Sequence, residues 1–179
     1  KWDGVSKPAL VADIYAGTSS SNPASLVVFN NALYFAATTS ANGRELWRYT
    51  GTGSPTRVSE IAPTSCSANP TGLTVFNNTL YFQAQNTGAA TTCAAVNGLE
   101  LWRYDGTNAP SMVADISVGT ASSSPATFTI LGGVMYFAAT NSASGRELRK
   151  YDGVAAPSRP WSGARRARRG GTPAPPPRS

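Results

Sequence analysis

The chain has no histidine, only two cysteines, and charged side chains at just 13% of its 179 positions. Without histidine there is no Ser-His-Asp or Cys-His centre, no imidazole acid-base chemistry and no histidine-ligated zinc. Two cysteines alone make a poor metal site, and nothing resembles a calcium loop with alternating aspartates. No cofactor is therefore indicated. No apolar run reaches the roughly 18 residues that a membrane span needs. The sequence opens at Lys1 without an initiator methionine or an apolar signal region, which fits a processed product or an excised piece of something longer. What is abundant points the other way from helices. Twenty serines and nineteen threonines accompany 17 glycines and 13 prolines, a mixture of turn formers and β-tolerant polar residues that predicts an all-β chain of many short strands.

The formal charge of +6 disappears once it is located. Residues 1–158 hold nine basic and nine acidic residues, whereas 159–179 hold six arginines and no acid. The body is neutral, so a folded basic face for nucleic acid is not expected. The chain divides accordingly into a repeat domain, 1–158, and an Arg/Pro/Gly-rich tail, 159–179, whose composition predicts disorder.

Repetition dominates the body. Leu26-Val-Val-Phe-Asn-Asn-Ala-Leu-Tyr-Phe35 returns as Leu73-Thr-Val-Phe-Asn-Asn-Thr-Leu-Tyr-Phe82 and, more loosely, as Phe128-Thr-Ile-Leu-Gly-Gly-Val-Met-Tyr-Phe137. A second block follows each: Gly43 to Gly51, Gly98 to Gly106 and Gly145 to Gly153. A third reads Leu10-Val-Ala-Asp-Ile14, Arg57-Val-Ser-Glu-Ile61 and Met112-Val-Ala-Asp-Ile116. Trp2, Tyr49, Tyr104 and Tyr151 are 47, 55 and 47 residues apart, so the middle repeat carries an eight-residue insertion.

Each unit reads as four strands. The pairs Asn30-Asn31, Asn77-Asn78 and Gly132-Gly133 tolerate the positive φ of a two-residue hairpin turn and separate two alternating apolar runs. A third strand runs through Glu-Leu-Trp-Arg-Tyr, and a proline-containing loop leads to a fourth. Such units, unable to bury both faces alone, predict a partial β-propeller of about three four-stranded antiparallel blades. Residues 9–14 are expected as a fourth strand with no preceding three, and 126–151 as three strands lacking a fourth, with strand exchange between the ends available. Open end blades predict self-association or further blades of a longer parent chain.

Glu100 to Thr107, Glu-Leu-Trp-Arg-Tyr-Asp-Gly-Thr, resembles the ELWxxDGT repeat of a group of bacterial, mostly secreted or surface-associated propeller-like proteins. Glu45 to Thr52 matches except at Thr50, and Glu147 to Val154 departs at Arg149 and Val154. The resemblance covers about residues 1–158. It implies a propeller-like architecture outside the cytoplasm and brings no catalytic residues.

All nine carboxylates sit at repeat positions: Glu45, Glu100 and Glu147; Asp13, Glu60 and Asp115; Asp3, Asp105 and Asp152. An acid and a base need different environments, and no acid here is peculiar to one repeat. Structural roles follow, with Asp-Gly in turns and the glutamates pairing across strands with Arg48, Arg103 or Lys150. The functional alternative is a ring of equivalent acids binding a cation or a sugar. Trp47 and Trp102 read first as packing between sheets and second as stacking platforms for a glycan. The ligand-binding candidates are thus Trp47, Trp102, Arg48, Arg103, Glu45 and Glu100.

Cys66 and Cys93 occur only in the middle repeat. Cys66 lies in the loop entering a first strand and Cys93 in the loop between second and third strands, which emerge at the same edge of an antiparallel blade. A disulfide in an oxidising compartment follows, contributing roughly 3 kcal/mol on the chain-entropy model; two buried thiols are the alternative. The insertion makes residues 84–98 the best candidate for a binding surface particular to this chain. Asn77-Asn78-Thr79 is a glycosylation sequon that reads as accidental, because the same hairpin turn recurs without it. The tail reads as a frameshift or unrelated extension, or as a basic arm touching phosphate or an anionic surface. The functional expectation is a non-enzymatic extracellular or cell-surface repeat module for adhesion or for binding a glycan or surface protein. A carboxylate-dependent glycan-active enzyme fragment and a structural spacer are the alternatives.

Overall fold

The computed structural model describes residues 1, 4–88 and 92–160. They form eleven strands and no helix, in three antiparallel sheets. Sheet I holds β1 (Ala24–Phe29), β2 (Ala32–Thr39), β3 (Gly43–Tyr49) and β4 (Thr56–Arg57) in that order. Sheet II repeats this arrangement with β5 (Thr71–Phe76), β6 (Thr79–Thr87), β7 (Ala95–Tyr104) and β8 (Ser111–Ala114). Sheet III contains β9 (Ala126–Leu131), β10 (Val134–Asn141) and β11 (Gly145–Tyr151). β1 packs against β5, and β5 against β9, so the first strands meet in sequence order. The sheets do not close into a ring.

The hairpins form where their turn residues dictate. Asn30 and Asn31 have φ of 45° and 56°, Asn77 and Asn78 of 46° and 52°, Gly132 and Gly133 of 58° and 74°, the left-handed pair that matches the twist of a tight hairpin. A second left-handed position recurs inside each first strand. Ser25 (φ 55°), Gly72 (66°) and Thr127 (57°) lie where the register slips between Ala24 and Val27, Thr71 and Thr74, and Ala126 and Thr129. Each is a β-bulge two residues after a proline, and it re-aims the strand as it enters the sheet. For β-branched Thr127 such a φ is a strained conformation.

Period-2 alternation fixes which side chains meet. In sheet II, Leu80, Phe82, Trp102 and Tyr104 point to one face and pack with Phe29, Tyr34 and Leu46 of sheet I. Tyr81 and Leu101 point to the other face and pack with Met135, Phe137 and Tyr151 of sheet III. The middle sheet is therefore covered on both faces by another sheet, and the end sheets each on one face only. Leu131 is 70% and Leu148 54% exposed in sheet III, and Leu26 60% in sheet I.

One expectation is corrected. Residues 9–14 form no strand, because no third strand among the described residues stands beside them to take their hydrogen bonds. The third sheet is three-stranded, as expected for residues 126–151; a single antiparallel bridge, Lys150 to Ser158, occupies the place where a fourth strand would start. Pro160 stands two residues on and has no N–H with which to continue a ladder. Trp2, Asp3, residues 89–91 of the candidate surface 84–98, and the tail beyond Pro160 lie outside the described residues.

Candidate functional site

The seams between sheets are where the polar side chains concentrate. Glu45, on β3, is fully buried and accepts the backbone N–H groups of Ile61 (3.2 Å), Ala62 (3.1 Å) and Ala68 (3.3 Å). Glu100, on β7, is equally buried and accepts those of Ile116 (2.9 Å), Ser117 (3.3 Å) and Ser123 (2.9 Å), with the Ser123 hydroxyl at 2.6 Å. In each case the carboxylate gathers the connector that leads to the next sheet, whose buried N–H groups would otherwise lack acceptors. Burial pushes the Glu45 carboxyl up to about 7 against the pull of its three N–H donors. Burial also raises Glu100, against its Ser123, Ile116 and Ser117 donors.

This overturns the expected pairing of these glutamates with Arg48, Arg103 and Lys150. Glu45 and Arg48 lie three residues apart on one strand and so point to opposite faces. Among the described residues the one ion pair joins Arg57 and Glu60 at 3.8 Å. Glu147, the third of the set, is exposed on β11.

Trp102 is 7% exposed and sits in the core between sheets I and II, opposite Phe82 in the register; Trp47 is half-buried opposite Phe35. Their indole nitrogens are buried without a hydrogen-bond partner. At the same position in sheet III, Arg149 remains buried opposite Phe137, and desolvation lowers its pKa. Arg48 and Arg103 are exposed. The six ligand candidates are thus divided: Trp102, Glu45 and Glu100 lie inside the seams, the two arginines outside, Trp47 between.

The inserted loop forms the most distinctive surface. Cys66 and Cys93 are joined in a disulfide with a Cα–Cα separation of 5.3 Å, as the shared edge of their two loops requires. Cys66 belongs to the connector between sheets I and II. On the other side of the insertion, the Asn97 side chain donates to Asp115 at 3.2 Å in the connector between sheets II and III, and the Asn97 N–H donates to the Asn86 side chain at 3.1 Å. The projecting edge is therefore tied to both connectors and presents the half-exposed Val96. The disulfide had a signal in the sequence, its two cysteines confined to one repeat. The Asn97–Asp115 tie had none.

A second concavity lies between residues 10–23 and the face of sheet I turned away from sheet II. Leu10, Ile14, Leu26, Leu33, Phe35 and Tyr49 line a cavity of about 510 Å³. Among the described residues no group of three or more His, Cys, Asp or Glu side chains is placed to hold a metal ion, and no helix is long and apolar enough to cross a membrane. No protein-family model, curated protein or solved structure matches the chain.

Proposed function

We propose that the chain is a non-enzymatic extracellular repeat module whose three sheets are propeller blades, and that it binds a surface protein or glycan through the disulfide-tethered edge of the middle blade. The Cys66–Cys93 disulfide carries this reading. It belongs to an oxidising compartment, and it ties the loop that carries the insertion, at Cys93, to the connector between sheets I and II, which restrains a surface of the kind that carries binding. The blade reading is supported by the stacking of β1, β5 and β9 and by the covering of both faces of sheet II. The likeness of Glu45 to Thr52 and Glu100 to Thr107 to the ELWxxDGT repeat adds to it.

The non-enzymatic reading rests on the carboxylates. Glu45 and Glu100, whose raised pKa would suit a general acid, are enclosed and saturated by backbone donors. Neither could reach a substrate without unfolding a connector. A glycan array and a binding screen against intact cell surfaces test the proposal. Binding is expected, weakened severalfold by Val96→Asp and retained in Arg48→Ala. Polysaccharide cleavage that disappears in Glu100→Gln would favour the enzyme class, and silence in every binding assay would leave a spacer.

A further inference from the structure

Sheet III carries one half of a joint whose other half stands near Lys1. At both internal joints a glutamate receives N–H groups from residues 16, 17 and 23 positions further on. Glu147 is the third such glutamate, yet it accepts no hydrogen bond among the described residues. Conversely, Ile14, Tyr15 and Ser21 occupy the repeat positions of those donors, with no described glutamate before them.

The orphan connector already has the shape of the other two. The Gly17 N–H donates to the Asp13 carboxylate at 3.1 Å, as Gly119 does to Asp115 at 3.0 Å and Thr64 to Glu60. The Thr38 N–H donates to the Ser21 carbonyl at 2.8 Å, as Thr140 does to Ser123. It is pre-organised for a glutamate partner that none of the described residues supplies within the same chain.

Three more half-joints match. A Cβ on Gly43 or Gly98 would overlap the backbone of the connector docked there, at Cys66 or Ala121, whereas Gly145 faces open space. The N–H of Arg44 and of Leu99 donates to the hydroxyl of Ser67 or Ser122, and the repeat places Ser20 as their counterpart and Arg146 as the donor. Tyr34 meets Tyr104 with ring centroids 5.8 Å apart, and Tyr81 meets Tyr151 at 5.6 Å. The next members of this series are Tyr136 on sheet III and Tyr49 on sheet I, which lie at opposite ends of the array. Gly163, Ala164 and Gly170, the residues 16, 17 and 23 positions beyond Glu147, lie outside the described residues, and none of the described residues fills that edge. Where the Val58 N–H donates to the Leu46 carbonyl in sheet I, sheet III offers Pro160 opposite Leu148.

We propose that the outward face of sheet III, together with the Gly145–Glu147 end of β11, binds sheet I and the Leu10–Ser21 connector of a second copy of this chain, head to tail, with Glu147 receiving the N–H groups of Ile14, Tyr15 and Ser21. The occupant follows from continuity with the two internal joints, since every feature missing at one end is present at the other. The pair Lys1–Ala9, closed by two hydrogen bonds of 2.8 Å, takes the place that Lys150–Ser158 holds in the partner's sheet, so it opens when the joint forms. Closure at two copies rests on the blade reading. Propeller rings run from about four to eight blades, which the three sheets of the described residues fall short of, two such sets meet and three exceed.

Sedimentation of the full chain tests this, with an expected mass of two chains of 18.6 kDa that dissociate on dilution. Glu147→Ala is solvent-exposed and leaves the fold intact; it is expected to raise the dissociation constant by about tenfold or more, in line with the loss of charge-assisted hydrogen bonds. Ile14→Pro, which removes a donor from the other half, should act alike. Mixing the two variants should restore a two-chain species, because the first retains a sound connector and the second a sound glutamate. A chain that is monomeric at every concentration, a dimer indifferent to Glu147→Ala, or a mixture that fails to pair overturns the joint. An open-ended polymer overturns the ring and, with it, the blade reading. None of these measurements involves a ligand or the disulfide-tethered edge, so they fail independently of the binding function.

Discussion

Glu100 accepts both the N–H and the hydroxyl of Ser123, at 2.9 and 2.6 Å, across the boundary between sheets II and III. Removing the carboxylate would leave three buried N–H groups without acceptors, each costing about 1–3 kcal/mol. Glu100→Ala is therefore expected to lower the unfolding free energy by about 3 kcal/mol or more in chemical denaturation. Glu100→Gln, which keeps one acceptor oxygen, should lose less. Equal losses in the two variants would show that packing, not hydrogen bonding, dominates the seam.

The pH dependence of stability should be unusual for a chain rich in structural carboxylates. A carboxyl whose folded pKa lies above its ordinary value binds its proton more tightly when folded. Its stabilisation is complete below the ordinary value of 4.5 and is lost as pH rises through about 7 for Glu45, a loss on the order of 3 kcal/mol. Glu100 acts in the same direction. Asp105 works oppositely: the Asn108 side chain and the Thr107 and Asn108 N–H groups hold it down to about 2, so its contribution vanishes as pH falls below its ordinary 3.8. The melting temperature should peak in the mildly acidic range and decline toward neutrality, and Glu45→Gln should flatten that decline. A melting temperature that climbs steadily from pH 4 to 8 would contradict this.

Reduction of Cys66–Cys93 should cost about 3.5 kcal/mol for a sequence separation of 27 on the chain-entropy model. Non-reducing mass spectrometry should find the oxidised chain two hydrogens lighter. Hydrogen exchange after reduction should accelerate at the ends of β6 and β7 and leave sheet III unchanged. Acceleration throughout would mean that the bond supports the whole array.

Two glycines at equivalent positions should respond differently to a methyl group. Gly98 has no positive φ, but its Cβ would overlap the Ala121 carbonyl, so Gly98→Ala should cost about 1–3 kcal/mol through displacement of the connector. Gly145 has φ +69° and open space around it, so Gly145→Ala in dilute protein should cost only the strain of a left-handed alanine, about 1 kcal/mol.

The sequence was most legible where one residue type has one conformational use. Asn-Asn and Gly-Gly marked the hairpins, and two cysteines in one repeat marked the disulfide. The bulges have little signal in the sequence, because Ser25 and Thr127 carry no left-handed signature; Gly72 at the same repeat position is the one hint. The glutamates carry the pattern of strand partners for arginine, whereas their acceptor role depends on backbone N–H groups far along the chain, which have no side-chain signature at all. Residues 9–14 carry the pattern of a strand, but a strand needs a neighbour, and pattern alone does not supply one.

Each connector is held twice. Its N–H groups are gripped by the glutamate of the sheet before it, and its carbonyl at Ala68 or Ser123 is bonded by Gln85 or Thr140 of the sheet after it. Unravelling one sheet therefore strips the donors from a buried carboxylate in its neighbour, and the penalty propagates. Such an array behaves as a one-dimensional chain with strong nearest-neighbour coupling: it melts in a single transition, and a lone sheet excised from it would have no folded state to melt from.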